Sequence, residues 1–331
     1  METAPHMKRI ALLRQLRRAT VAVATALPHL AAAQAFPSRP LHIVVPFAPG
    51  GAVDTVARIV GAKLSDEMGQ PVIVENKPGG QANIGAELVA NSAPDGYTML
   101  LGANGLATNP TLMHMSFDPL KAFATVARVG YAPLVLVVPE KSPAKSVSQL
   151  VAYIKAHPGK TNYGSAAVGG SGHLATELFK IKTGTDSQHV PYKGGAPALT
   201  DLIAGRLDFM LLNPLEVAPH VKSGKLRALA VSSSKRIASL PDVPTFTEAG
   251  LKDFNASVWW GFVVPAATPQ DVVAKLSSAV LKALDDPKVK SKLENLGAVV
   301  DPQDSAAFGA FLRSETATWA DVIRKAGIKA E

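Results

Sequence analysis

The chain reads as an α/β protein of two lobes, with a hinge and an interlobe cleft. Three observations carry this. Strand-like and helix-like apolar spacings alternate from Phe36 onward. Two glycine-rich turns, at residues 46–51 and 163–172, each lead from a strand into the start of a helix. A strand-like run at 257–264 returns only after a second complete α/β unit has been built. At 331 residues there is room for two domains of ordinary size, and 47% apolar with 18% charged residues is a globular composition.

Residues 1–35 have the form of a secretory signal: a basic stretch from Lys8 to Arg18, an apolar run from Ala19 to Leu30, and Ala33-Gln34-Ala35 as the cleavage site. The run is too short for a membrane span and is broken by Pro28 and His29. Arg17-Arg18 hints at twin-arginine export in a poorly fitting context, and Met7 is an alternative start. The formal charge of +8 owes half its size to this segment, and the remainder keeps 29 basic and 25 acidic residues. That mild excess suits small anions, whereas nucleic acid would want basic clusters interleaved with aromatics, which are absent. With no cysteine, disulfides, thiolate metal sites and thiol nucleophiles are excluded.

In order, the strand at 41–45 ends in Pro46-Phe47-Ala48-Pro49-Gly50-Gly51, and apolar spacing then predicts a helix from Val53 to Met68. A strand at 71–75, a helix near 83–91 and a strand at 97–101 follow, so this βαβαβ order predicts a parallel sheet with strands buried on both faces. Residues 102–110 read as a loop at the mouth of the cleft. There Asn104, Thr108 and Asn109 either contact a ligand or stabilise their own backbone.

The β-branched run 134–138 is the first crossing between lobes. The second lobe then alternates: a helix to about His157, a strand at 162–165, a helix at 173–182, a strand at 188–192, a helix at 196–204, a strand at 207–212, a helix at 216–223 and a strand at 226–231. Trp259 and Trp260 lie in the returning strand and must face opposite ways, so at least one is core. Thr268-Pro269 and Asp286-Pro287 both read as a cap followed by proline, and Asp304 or Ser305 starts the last helix. The lobes are thus expected at 36–133 with 259–331, and at 134–258.

The chemistry expected is anion capture. A glycine turn ahead of a helix presents free N–H groups and the positive end of the helix dipole, and this chain has one in each lobe. Asp54 serves either the helix dipole or a donor on the ligand. Enzyme patterns fail: around Ser171 the nucleophile-elbow spacing breaks at His173, and Ser171 and His173 would not face each other on a helix. Gly159-Lys160-Thr161 lacks the upstream glycine of a P-loop, and the eight histidines show no metal-ligand spacing. No catalytic residue, metal or cofactor is expected.

Several motifs carry a family resemblance: Pro46-Phe47-Ala48-Pro49-Gly50-Gly51-x-x-Asp54, Val74-Glu75-Asn76-Lys77-Pro78-Gly79-Gly80, Pro94-Asp95-Gly96-Tyr97-Thr98, and Val190-Pro191-Tyr192-Lys193-Gly194. Together with Gly205-Arg206-Leu207-Asp208, 224–230 and Pro241-Asp242-Val243-Pro244-Thr245, the chain from Phe36 onward resembles the Bug family (TctC-like), the extracytoplasmic solute receptors of tripartite tricarboxylate transporters. The resemblance implies a type II periplasmic-binding-protein fold closing over a small carboxylate, a periplasmic location, the membrane subunits of such a transporter as partners, and a monomer. It places Pro49, Gly50, Gly51 and Asp54 on the ligand from the first lobe, where Phe47 and Asn104 are further candidates. From the second it places Gly170, Ser171, Gly172, His173, Tyr192, Gly195 and Asn213. Many relatives have Gly-Ser where this chain has Gly194-Gly195, and many have an acidic residue near Asn213. The alternatives are a sensor serving a signalling membrane partner and a serine hydrolase built on Ser171 and His173.

Overall fold

The computed structural model describes residues 36–192 and 195–329. The expected signal segment and the turn at Lys193-Gly194 lie outside them. The chain divides after Ser38, and the sheets, helices and cavities all belong to the unit beginning at Arg39.

The first lobe opens with β1 (Leu41–Val45), α1 (Ala52–Met68), β2 (Val72–Asn76), α2 (Asn83–Ala90), β3 (Thr98–Gly102), α3 (Gly105–Leu112), α4 (Pro119–Ala122) and β4 (Phe123–Pro133). The second lobe carries β5 (Val135–Pro139), α5 (Val147–Ala156), β6 (Asn162–Ser165), α6 (Ser171–Thr183), β7 (Gln188–Pro191), α7 (Gly195–Ile203), β8 (Met210–Leu212), α8 (Pro214–Lys222) and β9 (Leu226–Val231). The chain then returns through β10 (Ser257–Pro265), α9 (Gln270–Asp285), α10 (Pro287–Asn295), β11 (Val299–Gln303) and α11 (Ser305–Ala326).

One six-stranded sheet has the order β11-β4-β10-β3-β1-β2. Its β1, β2 and β3 are parallel, as their crossover helices demand, but β10 enters antiparallel between β3 and β4. The sheet is therefore mixed, not parallel: β10 arrives from the other lobe and is free to run in the opposite sense. The edge strand β2 is also not buried on both faces, with Ile73 43% exposed. The second lobe has β8-β5-β9, and β6 paired with β7, joined by a bridge from Tyr163 to Phe209. The strand expected at 207–212 shortens to β8 because Phe209 makes only that bridge.

Three more expectations change. The presumed loop 102–110 contains α3, with Pro110 inside it. Burial of Leu106, Ala107 and Leu112 overrides the Gly/Asn/Pro composition, since tertiary packing outweighs weak local propensity. Thr268 does not cap α9; Pro269 holds that position, and the Thr268 N–H donates to Pro265 O instead. Strands β4 and β11 were not foreseen. Asp286 and Asp304 do cap their helices, each accepting from first-turn amides.

The two strand crossings run side by side. The Leu134 N–H donates to Ser232 Oγ at 2.8 Å, the Ser232 N–H donates to Leu134 O at 2.9 Å, and the Ser232 hydroxyl donates to Ala256 O. In β10, Gly261 leaves room for a ring: a Cβ there would lie 2.3 Å from Phe308 Cζ. Gly261→Ala should therefore overpack the sheet–α11 contact and destabilise the fold by about 1–3 kcal/mol. Urea unfolding checks this, and an unchanged midpoint would contradict it.

Candidate functional site

The β1–α1 turn is built around Gly50, whose φ of +83° is a left-handed conformation that glycine adopts without steric penalty. Gly51 is the N-cap of α1 and supplies no side-chain cap, so the first-turn amides of the helix keep no side-chain partner. The turn is held from beneath by Asp54, only 3% exposed. Its Oδ2 accepts from the Gly50 N–H at 2.8 Å and from Arg58 Nε at 3.1 Å, and its Oδ1 accepts from Asn76 Nδ2 at 2.9 Å. Asn76 Nδ2 also donates to Phe47 O at 3.0 Å, which ties the end of β2 to the turn. The Arg58 hydrogen bond, then those of the Gly50 amide and Asn76, hold the Asp54 carboxyl down at about 2 against the opposing effect of burial. Both oxygens of Asp54 face donors of the protein itself. Sequence reasoning missed Asn76 as a strut, although it lies in one of the motifs quoted above.

The second turn has the same construction. Gly169 has φ +70°, Gly170 is the N-cap of α6 without a side-chain cap, and Ser171 opens the helix. The Gly169 N–H donates to His173 Nδ1 at 2.9 Å. The His173 ring, 5% exposed, stacks on His189 with centroids 3.7 Å apart and planes 14° apart. His189 Nε2 lies 2.6 Å from Ser165 Oγ, and its ring stacks in turn on Tyr163 at 4.9 Å. The Tyr163 hydroxyl donates to Glu177, which also accepts from Lys180 Nζ at 2.9 Å. Burial, then His189, then Lys180 push His173 down to about 3, so it is neutral at ordinary pH and can accept the Gly169 hydrogen bond. No hydrogen bond joins Ser171 to His173 among the described residues. Gly172 allows α6 to approach β8, because a Cβ there would lie 2.5 Å from Leu211 O.

Between the turns lies a cavity of about 380 Å³. Phe47, Val53, Gln81 and the start of α3 line it from one lobe, Val258 from β10, and residues 167–171 from the other lobe. No Asp, Glu, Lys or Arg lines it among the described residues. Its polar character comes from backbone, helix ends, amides and hydroxyls. Asn104, at the wall, is a brace: its Nδ2 donates to Ser257 O at 2.7 Å and its Oδ1 accepts from the Trp259 N–H at 3.1 Å. Asn109 Nδ2 donates to Gln81 O and Asn83 Oδ1, both at 2.9 Å. Gln81 and Ala82 have φ of +51° and +76°, a costly conformation for residues with a Cβ. Only the neighbouring Pro78-Gly79-Gly80 signalled a turn there, so Gln81 was not foreseen.

Of the residues named from sequence, Phe47, Asn104, Thr108, Asn109, Gly170 and Ser171 line this cavity, and Gly50 and Asn213 line a separate, smaller chamber. Pro49, Gly51, Asp54, Gly172, His173, Tyr192 and Gly195 line neither. Tyr192 donates its hydroxyl to Asp201 Oδ2 at 2.7 Å. Gly195 lies against Glu216, where a Cβ would come within 2.1 Å of Oε1. Among the described residues no cluster of three His, Asp or Glu could hold a metal ion, and no helix is long and apolar enough to cross a membrane.

The profile of the family described as "Tripartite tricarboxylate transporter family receptor" matches residues 56–328. The chain belongs to this family. Among curated relatives, the receptor is 37% identical over 303 residues to protein BugT of Bordetella pertussis, covering 90% of this chain and 92% of that one. It is 36% identical over 321 residues to the UPF0065 protein in the tcbD-tcbE intergenic region of Pseudomonas sp. strain P51, covering 96% of each. Among solved structures it resembles the periplasmic binding protein BugD, with TM-score 0.73 and 34% identity over 89% of this chain and all of that one. An R. palustris protein solved with adipate gives TM-score 0.76 and 35% identity, over 89% of this chain and 99% of that one. MatC from Rhodopseudomonas palustris, with bound malate, gives 0.73 and 34%, over 87% and 100%. The α/β two-lobed periplasmic-binding-protein architecture and the resemblance to Bug and TctC receptors are thereby established.

The buried histidine sets a pH dependence. Because His173 is depressed in the folded receptor, its contribution to stability is complete above its ordinary value of 6.5 and declines as pH falls from there towards about 3. His173→Gln, which keeps an acceptor but cannot titrate, should flatten the slope of unfolding free energy across that window. Urea titrations at several pH values measure it, and an unaltered slope would contradict the assignment.

Proposed function

We propose that this receptor captures a small carboxylate in the cleft between its lobes and delivers it, by hinge closure, to the membrane subunits of a tripartite tricarboxylate transporter. The proposal includes export to the periplasm, with residues 1–35 as the signal, and lobes at 36–133 with 259–331 and at 134–258. One observation supports it above the rest: two glycine-started helices, α1 and α6, lack side-chain caps and begin at the edge of one interlobe cavity. Asp118, Ser146, Asn213, Asp286 and Asp304 cap their own helices with side-chain oxygens, whereas α2, α3 and α9 also lack a side-chain cap but do not start at a glycine N-cap.

A helix start favours an anion by about 0.3–1 kcal/mol at an exposed position, and more where water is partly excluded. Two of them on opposite walls reward closure, because the full set of contacts exists only when both lobes engage. The uncharged lining suits this use. The anion would be held by dipoles and hydrogen-bond donors, with no lysine or arginine to trap it, so release to a membrane partner stays feasible. Adipate and malate in the two relatives support a dicarboxylate as the first class to test.

The test is a thermal-shift screen of mono-, di- and tricarboxylates, followed by calorimetry. A ligand at about 100 times its Kd adds about 2.7 kcal/mol of stability. Failure of every acid to shift the transition would refute the reading. Gly51→Asp is the matching variant: Gly51 has φ −76°, and the nearest atom to a Cβ there is 3.7 Å away, so the fold accepts a side chain. The new carboxylate sits at the α1 start and should weaken acid binding at least tenfold with little change in melting temperature. Unchanged affinity would remove the α1 start from the site.

A further inference from the structure

Among the described residues, five polar side chains line the cavity between the turns: those of Gln81, Asn104, Thr108, Asn109 and Ser171. What each can offer a ligand depends on what the protein has already taken. Both ends of the Asn104 amide are committed to β10, Nδ2 to Ser257 O and Oδ1 to the Trp259 N–H. The Asn109 NH₂ group is spent on Gln81 O and Asn83 Oδ1. The Thr108 hydroxyl donates to Asn104 O at 3.2 Å. That leaves Gln81 and Ser171, one on each lobe, whose side chains have no hydrogen-bond partner among the described residues.

Gln81 also stands in a costly place. Residues 79–82 all have positive φ, and of these only Gly79 and Gly80 adopt it without penalty. The other non-glycine residue with positive φ among the described residues is Asp253, a type that tolerates the left-handed region. A turn built for shape alone would place glycine at 81 as well. Ala82 shares the conformation and has no polar group, so the backbone by itself does not single Gln81 out. The deciding observation is that this turn holds an uncommitted carboxamide at the cavity wall. Such conformations persist where the surroundings over-determine them, and here Asn109, 3% exposed, clamps the Gln81 carbonyl at 2.9 Å.

We infer that Gln81 is the specificity-determining side chain of the first lobe, and that it reads a hydroxyl group on the bound acid. The inference rests on the carboxylate-receptor reading above and narrows its ligands to hydroxy acids. An ionised carboxylate only accepts, and the helix-start amides serve it. A hydroxyl both donates and accepts, and the carboxamide carries one partner for each role. The Ser171 hydroxyl, on the opposite wall, offers the same pair of roles. An ammonium group on the ligand would meet no carboxylate in the described lining and is disfavoured. An acid without the hydroxyl leaves the Gln81 amide unpaired once the lobes close on it, which is the physical basis of the discrimination.

The experiment measures, by calorimetry, hydroxy acids against their unsubstituted counterparts: lactate with propionate, 2-hydroxyglutarate with glutarate, and 4-hydroxybenzoate with benzoate. The unmodified protein should bind the hydroxy member of at least one pair tenfold or more tightly. Gln81→Gly supplies the residue that the turn accepts most easily, so the apo melting temperature should fall by no more than a few degrees. In that variant the affinity ratio of the pair should drop below threefold. Gln81→Glu keeps the length and an acceptor but adds a like charge, and should weaken both members at least tenfold. Acid binding with no hydroxyl preference in any pair would overturn the inference and leave the receptor reading standing. A ratio untouched by Gln81→Gly, equal losses for both members in that variant, or unaltered affinities in Gln81→Glu would do the same. Absence of binding by any acid in the wider screen would remove both.

Discussion

The turn between β1 and α1 is fixed by one buried carboxylate, that of Asp54. A glycine turn left to itself has many conformations, because glycine surrenders more backbone freedom on folding than any other residue. Asp54 removes that freedom from below, fastening Gly50, Arg58 and Asn76 to one buried carboxylate while leaving the helix tip uncovered. A cap from Ser, Thr or Asp at position 51 would stabilise the helix by only about a few tenths of a kcal/mol relative to glycine, and would occupy first-turn amides that Gly51 leaves without a side-chain partner. The sequence accepts a slightly less stable helix start, and Asp54 holds the turn before it in place.

In the second lobe the corresponding support is aromatic. His173 replaces the carboxylate as acceptor of a turn amide, and it can do so only while neutral. The stack of His173, His189 and Tyr163, closed by Glu177 and Lys180, keeps it so by excluding water and adding a nearby cation. The two lobes thus solve one problem with different chemistry, an ionised acid in one and an uncharged base in the other.

Much of this was legible in the residues. Each glycine turn was apparent because Pro and Gly punctuate two clean apolar strands, and α1, α5, α10 and α11 announced themselves by period and caps. The mixed sheet was not legible: a strand's direction is settled by which lobe its chain comes from, and β10 looks the same either way. The α3 helix was hidden because Asn104, Asn109 and Pro110 advertise a turn, whereas the decisive facts are the burial of Leu106 and Leu112 and the grip of Asn104 on β10. At the site, Asp54 and His173 accept the turn amides of Gly50 and Gly169, the Tyr192 hydroxyl donates to Asp201, and Glu216 fills the space above Gly195. Periodicity reports which face a residue occupies, but cannot report that a neighbour has already claimed its hydrogen bond.

The pairing of Leu134 with Ser232 has a mechanical corollary. With two backbone–serine hydrogen bonds joining the strands, and the same hydroxyl reaching on to Ala256, three separate stretches of chain are riveted at one point. Sliding one connection past another would tear polar contacts in a buried place, whereas bending all of them together would not. One serine side chain thus ties three connections together, and parting any of them would leave buried polar groups unpaired.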